Sequence, residues 1–454
     1  MIQIKSKLKK NRLAKNIVGN YIMKVLAMIV SFFLTPAYMN FFYSNKILGM
    51  WFTLIAILNW IMMFDFGIGA GVRNNLVVAL EKKDNLEIAK IIVSGIVANM
   101  TIVIFFCVIQ HFVVENINWY TVLGIGEGDV SISNLKLIIH ILAIGISLRL
   151  FASFVSHIYY AMQKAVASSI MAFFSNLLIL LYMIIVSSNG SERDIVGLAI
   201  VHAICYNIPV FIAFIDIFFI KFKNIKFRIN CLDRRHLQMI TGVGVNFFYL
   251  QILITLAFGV KEIMITWFAG AGQVVDYNVY QKVIGLAGTL FALALVPIWS
   301  EVTERYVQGR IDAILILYKK GAKIIFLIGI GQFVLVFLFP IINKIWLGNN
   351  AIEVSYVALF IFAIYNWVYM LIMLNYNFLC GMSKTKELSI TLTIMVVLNF
   401  LLCYLGSFVW KSWAMVMEAS VIASIPVLVV TTIIIFKIND KNNDEIVRSE
   451  GGDE

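Results

Sequence analysis

Residues 47–76 read ILGMWFTLIAILNWIMMFDFGIGAGVRNNL. From Ile47 to Phe64 the chain carries no charged residue, and a predominantly apolar run of about 18 residues or more is long enough to cross a bilayer as one helix. Asp65 interrupts the run close to its end, and Arg73 opens a charged amphipathic stretch that continues to Lys90. The same alternation of long apolar run and short charged connection recurs along the whole chain. Of 454 residues, 61% are hydrophobic and 13% charged, against about 25% charged in soluble domains. The fold class is all-α integral membrane.

Apolar runs near 17–42, 47–71, 91–114, 135–160, 166–187, 195–220, 240–267, 277–299, 324–342, 354–379, 388–410 and 413–436 predict about twelve transmembrane helices, with little chain left for a soluble domain. The outer connections then hold only Lys46, Lys136, Arg193, Lys344 and Lys411 as cations, and the longest of them, Glu115 to Asn134, has acids and no Lys or Arg. The positive-inside bias therefore predicts that both termini are cytoplasmic. It also accounts for the net charge of +11, because the cations are spread over many short loops instead of forming one nucleic-acid-binding face. Lys5, Lys7, Lys9, Lys10, Arg12 and Lys15 precede a first apolar run with no cleavage-site pattern, which reads as a retained helix. Cys107, Cys205, Cys231, Cys380 and Cys403 occur singly and read as small apolar residues, without the spacing of a zinc or redox site.

The longest inner connection, Lys221 to Gln238, carries Lys221, Lys223, Lys226, Arg228, Arg234 and Arg235. It divides the chain into an N-terminal six-helix bundle (1–220), a basic linker (221–238), a C-terminal six-helix bundle (239–436) and a charge-rich, disordered tail (437–454). Three features recur at a similar offset and support a pseudo-symmetric duplication. Gly19-Asn20-Tyr21 pairs with Gly244 to Phe247, Gln163-Lys164 with Gly381 to Lys384, and the helical stretch Arg73–Lys90 with Glu301–Lys320.

Charge is costly at the centre of a span, about 2.5–3.5 kcal/mol on insertion scales, so polar residues there are candidate functional groups. Asn20, Lys24, Ser31 and Thr35 share one face of the first helix, and Arg149, Ser153, Ser156 and Tyr160 one face of the fourth. Gln251, Thr255 and Glu262 align on the seventh with Lys261 to one side, and Asn366 and Asn377 align on the tenth. The functional reading is a hydrated central cavity between the bundles, where Lys24, Arg149, Lys261 and Lys282 meet an anionic ligand such as a pyrophosphate. The competing reading gives Arg149 a structural carboxylate and lets the lysines snorkel to headgroups, which suits Lys282 best. Asp65, Asp216, Glu262 and Glu418 are candidates for carrying a coupling proton or for fixing structure. His140, His157 and His202 lack metal-ligand spacing, and Pro36, Pro209, Pro297, Pro340 and Pro426 fall in or beside spans where they can bend helices. Phosphate-loop, zinc-protease and nucleophile-elbow motifs are missing, so no enzyme activity and no cofactor are expected.

The stretch Leu58-Asn59-Trp60 through Phe64-Asp65-Phe66-Gly67-Ile68-Gly69 to Arg73-Asn74-Asn75-Leu76 resembles the second-helix region of O-antigen flippases, the Wzx-type polysaccharide transporters. Asn16 to Tyr21, the Gln163-Lys164 turn and the Gly381 to Lys386 turn extend the resemblance over nearly the entire chain. The resemblance implies membership of the superfamily that includes multidrug exporters (MATE) and the peptidoglycan-precursor flippase, with two six-helix bundles around a V-shaped cavity. It further implies an inner-membrane protein that moves undecaprenyl-pyrophosphate-linked oligosaccharide to the periplasmic leaflet by an ion gradient, alongside a polysaccharide polymerase and a chain-length regulator. Three other readings stay open: a drug or metabolite exporter of that superfamily, a membrane-embedded polymerase or ligase, and a scaffold for glycosyltransferases.

Overall fold

The computed structural model describes the backbone of residues 2–63, 68–162, 164, 166–186, 188–241 and 245–450, and side chains from Gly19 to Lys437 apart from short gaps. It is helical throughout the described residues and forms two compact units, Met1–Gln251 and Ile252–Glu454. Helices are the expected outcome for apolar runs of this length, since an α-helix satisfies its backbone polar groups internally where lipid offers no partners. Ten helices among the described residues are long and apolar enough to cross a membrane, or eleven with one bent pair counted as a span. Large apolar side chains on their outer faces stay uncovered, such as Phe105 at 64% and Ile185 at 77% exposure, which is normal for a surface that faces hydrocarbon.

The first unit contains α1 (Ile2–Phe41), α2 (Asn45–Met63), α3 (Ile68–Lys82), α4 (Asn85–Asn116), α5 (Trp119–Leu123), α6 (Ile132–Ala161), α7 (Val166–Ile185), α8 (Glu192–Ile215) and α9 (Arg234–Thr241). Helix α1 packs on α7, α8 on both α6 and α7, and α3 and α4 on each other and on α6. Gly145 lets α6 and α8 approach closely, because a Cβ there would lie 2.7 Å from that of Ala203. Gly69 does the same for α3, where a Cβ would collide with the His157 ring. The last glycine of the Phe64–Gly69 motif is thereby explained by packing. Asp65 itself lies outside the described residues.

The second unit starts inside α10 (Val245–Ile254), which runs through a π-helical turn, Thr255–Gly259, into α11 (Lys261–Phe268) with a bend of 48°. It continues through α12 (Gln273–Val283), α13 (Leu286–Val307), α14 (Ile311–Leu347), α15 (Tyr356–Gly381), α16 (Thr385–Gly406) and α17 (Trp413–Glu450). Helix α15 is central, packing on α13, α14 and α17, and α17 also packs on α16.

Two expectations need revision. The stretch Arg73–Lys90 is a corner instead of one helix: α3 ends at Lys82, Lys83 takes a left-handed φ of 55°, and the Asp84 side chain caps α4 by accepting from the Leu86 and Glu87 N–H groups. Its counterpart Glu301–Lys320 is also a corner, with Gly309 at φ 70° between α13 and α14. Helix α17 follows its path to Glu450, past Lys437 where a tail was expected to begin. The pair of turns at Gln163-Lys164 and Gly381 to Lys384 has matching hydrogen bonds. After α6, Met162 N–H donates to Ile158 and Lys164 N–H to Tyr159; after α15, Met382 N–H donates to Phe378 and Lys384 N–H to Leu379, at 3.0 and 2.8 Å in both turns.

Candidate functional site

The polar face of α1 is put to use against α7. Ser169 donates to Asn20 Oδ1 at 2.6 Å, a bond that joins the two helices, and Thr35 is buried. Lys24, on the same face, is half-buried and has no ion-pair partner among the described residues. Ser31 is half-buried.

Arg149 sits where α6 meets α8. Its guanidinium donates to the Tyr206 carbonyl at 2.5 Å and lies over the Tyr206 ring, 4.4 Å from the centre. Ser175 of α7 donates to the same carbonyl at 3.2 Å. Pro209, in the next turn of α8, has no N–H for the Cys205 carbonyl four residues back. Asn207 completes the junction by donating to the Gly145 and Ala203 carbonyls at 2.9 and 2.8 Å. The structural partner of Arg149 is therefore a carbonyl and an aromatic face, not the carboxylate foreseen in the structural reading. Ser153 turns back to the Leu150 carbonyl at 2.8 Å. His202 stacks on Tyr206 and meets Trp51 edge-on.

At the end of α8 a π-helical turn, Asp216–Lys221, brings Asp216 and Lys221 into an ion pair. Tyr159 of α6 donates to Asp216 at 2.5 Å, and the Lys221 ammonium lies 5.2 Å from the Tyr159 ring centre. Asp216 is thus committed to local partners. Arg73 stands over Tyr160, which donates to Ser168 at 3.0 Å.

In the second unit, Lys261 is fully buried and donates to Ser420 Oγ at 2.7 Å, with its ammonium 5.7 Å from the Tyr365 ring centre. Ser420 in turn meets Asn399 Oδ1 at 3.1 Å. A buried charge needs such hydrogen-bonding partners, since removing it from water is expensive. Glu262, next in sequence, is half-buried at the start of α11, Glu418 is exposed, and Lys282 is half-buried in the last turn of α12. Thr255 is buried in the π-helical turn and Gln251 is half-buried on α10. Asn366 donates to the Ile284 carbonyl at 2.8 Å, within the α12–α13 break, and Asn377 to its own helix at Met373, 2.7 Å.

A polar network escaped the sequence reading. Asn375 donates to Thr431 and Thr432 at 2.8 and 3.0 Å and accepts from Tyr318 at 2.8 Å, tying α15, α17 and α14 together. Ser420, Ser424 and Thr431 recur at helical spacing on α17, a stripe that could have announced it. The described residues hold no group of three or more His, Cys, Asp or Glu arranged to bind a metal.

No family model matches the chain. Among solved structures, an inward-facing multidrug-resistance MATE transporter of the MOP superfamily aligns with 92% of the chain and 95% of its own length, at a TM-score of 0.68 and 13% identity. The outward-facing form aligns at 0.66, with 13% identity, over 95% and 97% of the two chains. The chain has a MATE-like transporter fold. Also similar in fold is a MOP-superfamily transporter from Pyrococcus furiosus, described as having a binding pocket of reversed polarity, at a TM-score of 0.63 and 13% identity over 94% and 97%. In sequence, this MATE-like chain is 25% identical over 365 residues to a protein of Yersinia pseudotuberculosis whose name proposes a role in O-antigen export. That match covers 78% of the chain and 80% of the relative. The resemblance to O-antigen transporters read from the second-helix motif is therefore matched by a relative in sequence and by transporters in fold.

Proposed function

We propose that this protein is a flippase that moves an undecaprenyl-pyrophosphate-linked oligosaccharide, an O-antigen or related repeat unit, from the cytoplasmic to the periplasmic leaflet of the inner membrane. The observation that carries the proposal is the set of cations within spans of a transporter fold, Lys24, Arg149, Lys261 and Lys282, taken with the relative named for O-antigen export. A drug exporter for cationic substrates would place carboxylates and aromatics there instead.

A pyrophosphate suits this donor set because charge-assisted hydrogen bonds from Lys and Arg strengthen away from bulk water. Lys24 is the first cation we assign to it, being half-buried without an ion-pair partner among the described residues. Lys261 would join when rearrangement about the bent α10–α11 span frees it from Ser420. Asn20, Ser31, Ser153, Gln251, Thr255, Asn366 and Asn377 would meet the glycan hydroxyls as the units change conformation, and the polyprenyl chain would stay in lipid. The driving force would be an ion gradient, with Glu262 the foremost carboxylate candidate because Asp216 is already paired. Both termini and the Lys221–Gln238 linker would face the cytoplasm, by the charge bias of the connections. A polymerase and a chain-length regulator of the polysaccharide pathway would be its functional partners.

The test is deletion of the gene and complementation with wild type, Lys24→Gln and Lys24→Arg at matched membrane levels. Surface polymer and the leaflet distribution of the lipid-linked precursor are then measured. Loss of polymer with precursor retained in the inner leaflet, unrestored by Lys24→Gln and restored at least in part by Lys24→Arg, is expected. Normal outward passage of the precursor in the deletion strain would refute the flippase reading.

A further inference from the structure

The connection between Lys221 and α9 is not a slack loop. At its start, Phe222 is buried and Phe227 lies edge-on to Phe218 and Phe222, with ring centres 5.2 and 6.3 Å away. Ile225 and Phe227 pack on the apolar cluster that includes Val72, Leu76, Ile88 and Ile217. At its far end, Asp233 N–H donates to Ser94 Oγ of α4 at 3.2 Å. Two nitrogens of the buried His236 ring meet Asp233 Oδ2 and Glu87 Oε1 of α4, each at 2.9 Å. Between the anchors, Lys223, Lys226 and Arg228 are exposed, and a short 3-10 turn, Ile229–Cys231, presents Ile229 at 86% exposure, with Leu232 at 41%. Arg234 and Arg235 follow, also exposed.

The anchors fix the depth of this ribbon. Helix α4 has 32 residues, about 48 Å at roughly 1.5 Å per residue, against about 30 Å of hydrocarbon. Counting about 20 residues back from its outer end near Val114 reaches Ser94, the residue to which Asp233 is fastened. The ribbon is therefore held where acyl chains give way to headgroups, and it leaves the membrane directly from Lys221, the last residue of the candidate span Glu192–Lys221. Charge bias alone would account for cations in this connection. It does not account for an isoleucine held almost wholly exposed among them, between two anchors at that depth. An apolar side chain flanked by Lys and Arg fits an anionic lipid surface, with the apolar group entering the boundary and the cations reaching phosphates.

We propose that the Lys223–Arg235 ribbon is a binding site for anionic phospholipid headgroups, with Ile229 and Leu232 inserted beside them. The leaflet is the inner one by the proposed orientation, but the binding is independent of what the protein transports. The test uses the full chain in nanodiscs of phosphatidylcholine, with or without phosphatidylglycerol, and an Ile229→Trp variant whose added fluorescence is read against wild type. Brominated phosphatidylglycerol is expected to quench the added signal, and acrylamide is not. Replacing Lys223, Lys226 and Arg228 together by Gln is expected to weaken the anionic-lipid dependence at least about fivefold, the factor one cation contributes near an anionic surface. An added tryptophan open to acrylamide and untouched by brominated lipid would overturn the proposal. So would equal quenching in the glutamine variant, provided that gel filtration shows both variants folded.

Discussion

Replacing Arg149 by Ala removes two interactions at once, and their size can be worked out from the α6–α8 junction. The first is the 2.5 Å hydrogen bond to the Tyr206 carbonyl; such bonds from charged donors contribute about 1.5–3 kcal/mol in soluble proteins. Measured side-chain bonds between membrane helices average only about 0.6 and reach about 1.7 kcal/mol, because the unfolded chain in lipid also finds partners. The second is the stack on the Tyr206 ring at 4.4 Å, about 1 kcal/mol when partly desolvated. Together they predict a loss of about 2 kcal/mol, which at about 2–4 °C per kcal/mol for a unit of this size lowers Tm by roughly 4–8 °C. The assay is thermal unfolding of the detergent-purified protein, with Tyr206→Leu and the double variant completing a cycle. Tyr206→Leu keeps the carbonyl, so the cycle isolates the ring contribution, expected near 1 kcal/mol. An Arg149→Ala protein melting within about 1 °C of wild type would refute the view that Arg149 clasps α6 to α8 and would leave substrate binding as its main role.

The other predictions follow from single contacts. Lys24→Gln should leave Tm unchanged within error while abolishing surface polymer, because this half-buried lysine has no ion-pair partner among the described residues; a parallel loss of stability, read by thermal unfolding, would count against a transport role. Lys261→Met should be neutral or stabilising, as apolar replacement of a buried charge often is, yet transport should fail; a destabilisation of about 3 kcal/mol or more would mark Lys261 as purely structural. Gly145→Val should push α6 from α8, since its Cβ would lie 2.7 Å from that of Ala203, costing about 1–3 kcal/mol, measured as lower membrane yield and Tm. The Arg235 N–H, followed by His236, holds Asp233 below the ordinary carboxylate value of 3.8. A depressed carboxylate stabilises fully above its unfolded value and loses that contribution as pH falls through the folded one. A spin label on α9 should therefore keep constant mobility from pH 7 to about pH 4 and loosen only below it; loosening near pH 6 would show that another group controls the anchor.

Ten of the expected spans, or eleven with the bent pair, were legible because apolar length is a coarse signal that tertiary packing cannot overturn in lipid, whereas the run at 277–299 is divided between α12 and α13. The duplicated turns at Lys164 and Lys384 were legible too, as each repeats a local hydrogen-bond pattern written in adjacent residues. The partner of Arg149 was not. It is a backbone carbonyl on another helix, and a carbonyl leaves no residue-type signature. Asp65, read as a candidate for coupling or for fixing structure, lies outside the described residues, while Gly69 at the end of the same motif is fixed by the room the His157 ring needs. The break after Lys82 was missed because Lys83 takes a left-handed conformation that glycine or asparagine would ordinarily advertise. Ser420 and Asn375 were passed over because single hydroxyls and amides in apolar runs look incidental until their partners from distant helices are known.

The Arg149 junction also bears on how the chain is made. Helix α6 carries its arginine into the membrane before α8 exists, and the acceptor at Tyr206 is 57 residues further along the chain. At about 5–20 residues per second, synthesis needs roughly 3–11 s to deliver it. During that interval α6 holds a charge that costs about 2.5–3.5 kcal/mol at the centre of a lone helix. That cost favours keeping α6 beside the insertion machinery until α7 and α8 have followed, and we predict that α6–α8 is a unit of biogenesis as well as of packing. A ribosome stalled before Tyr206 should leave α6 crosslinkable to the insertion channel, and one stalled well beyond it should not.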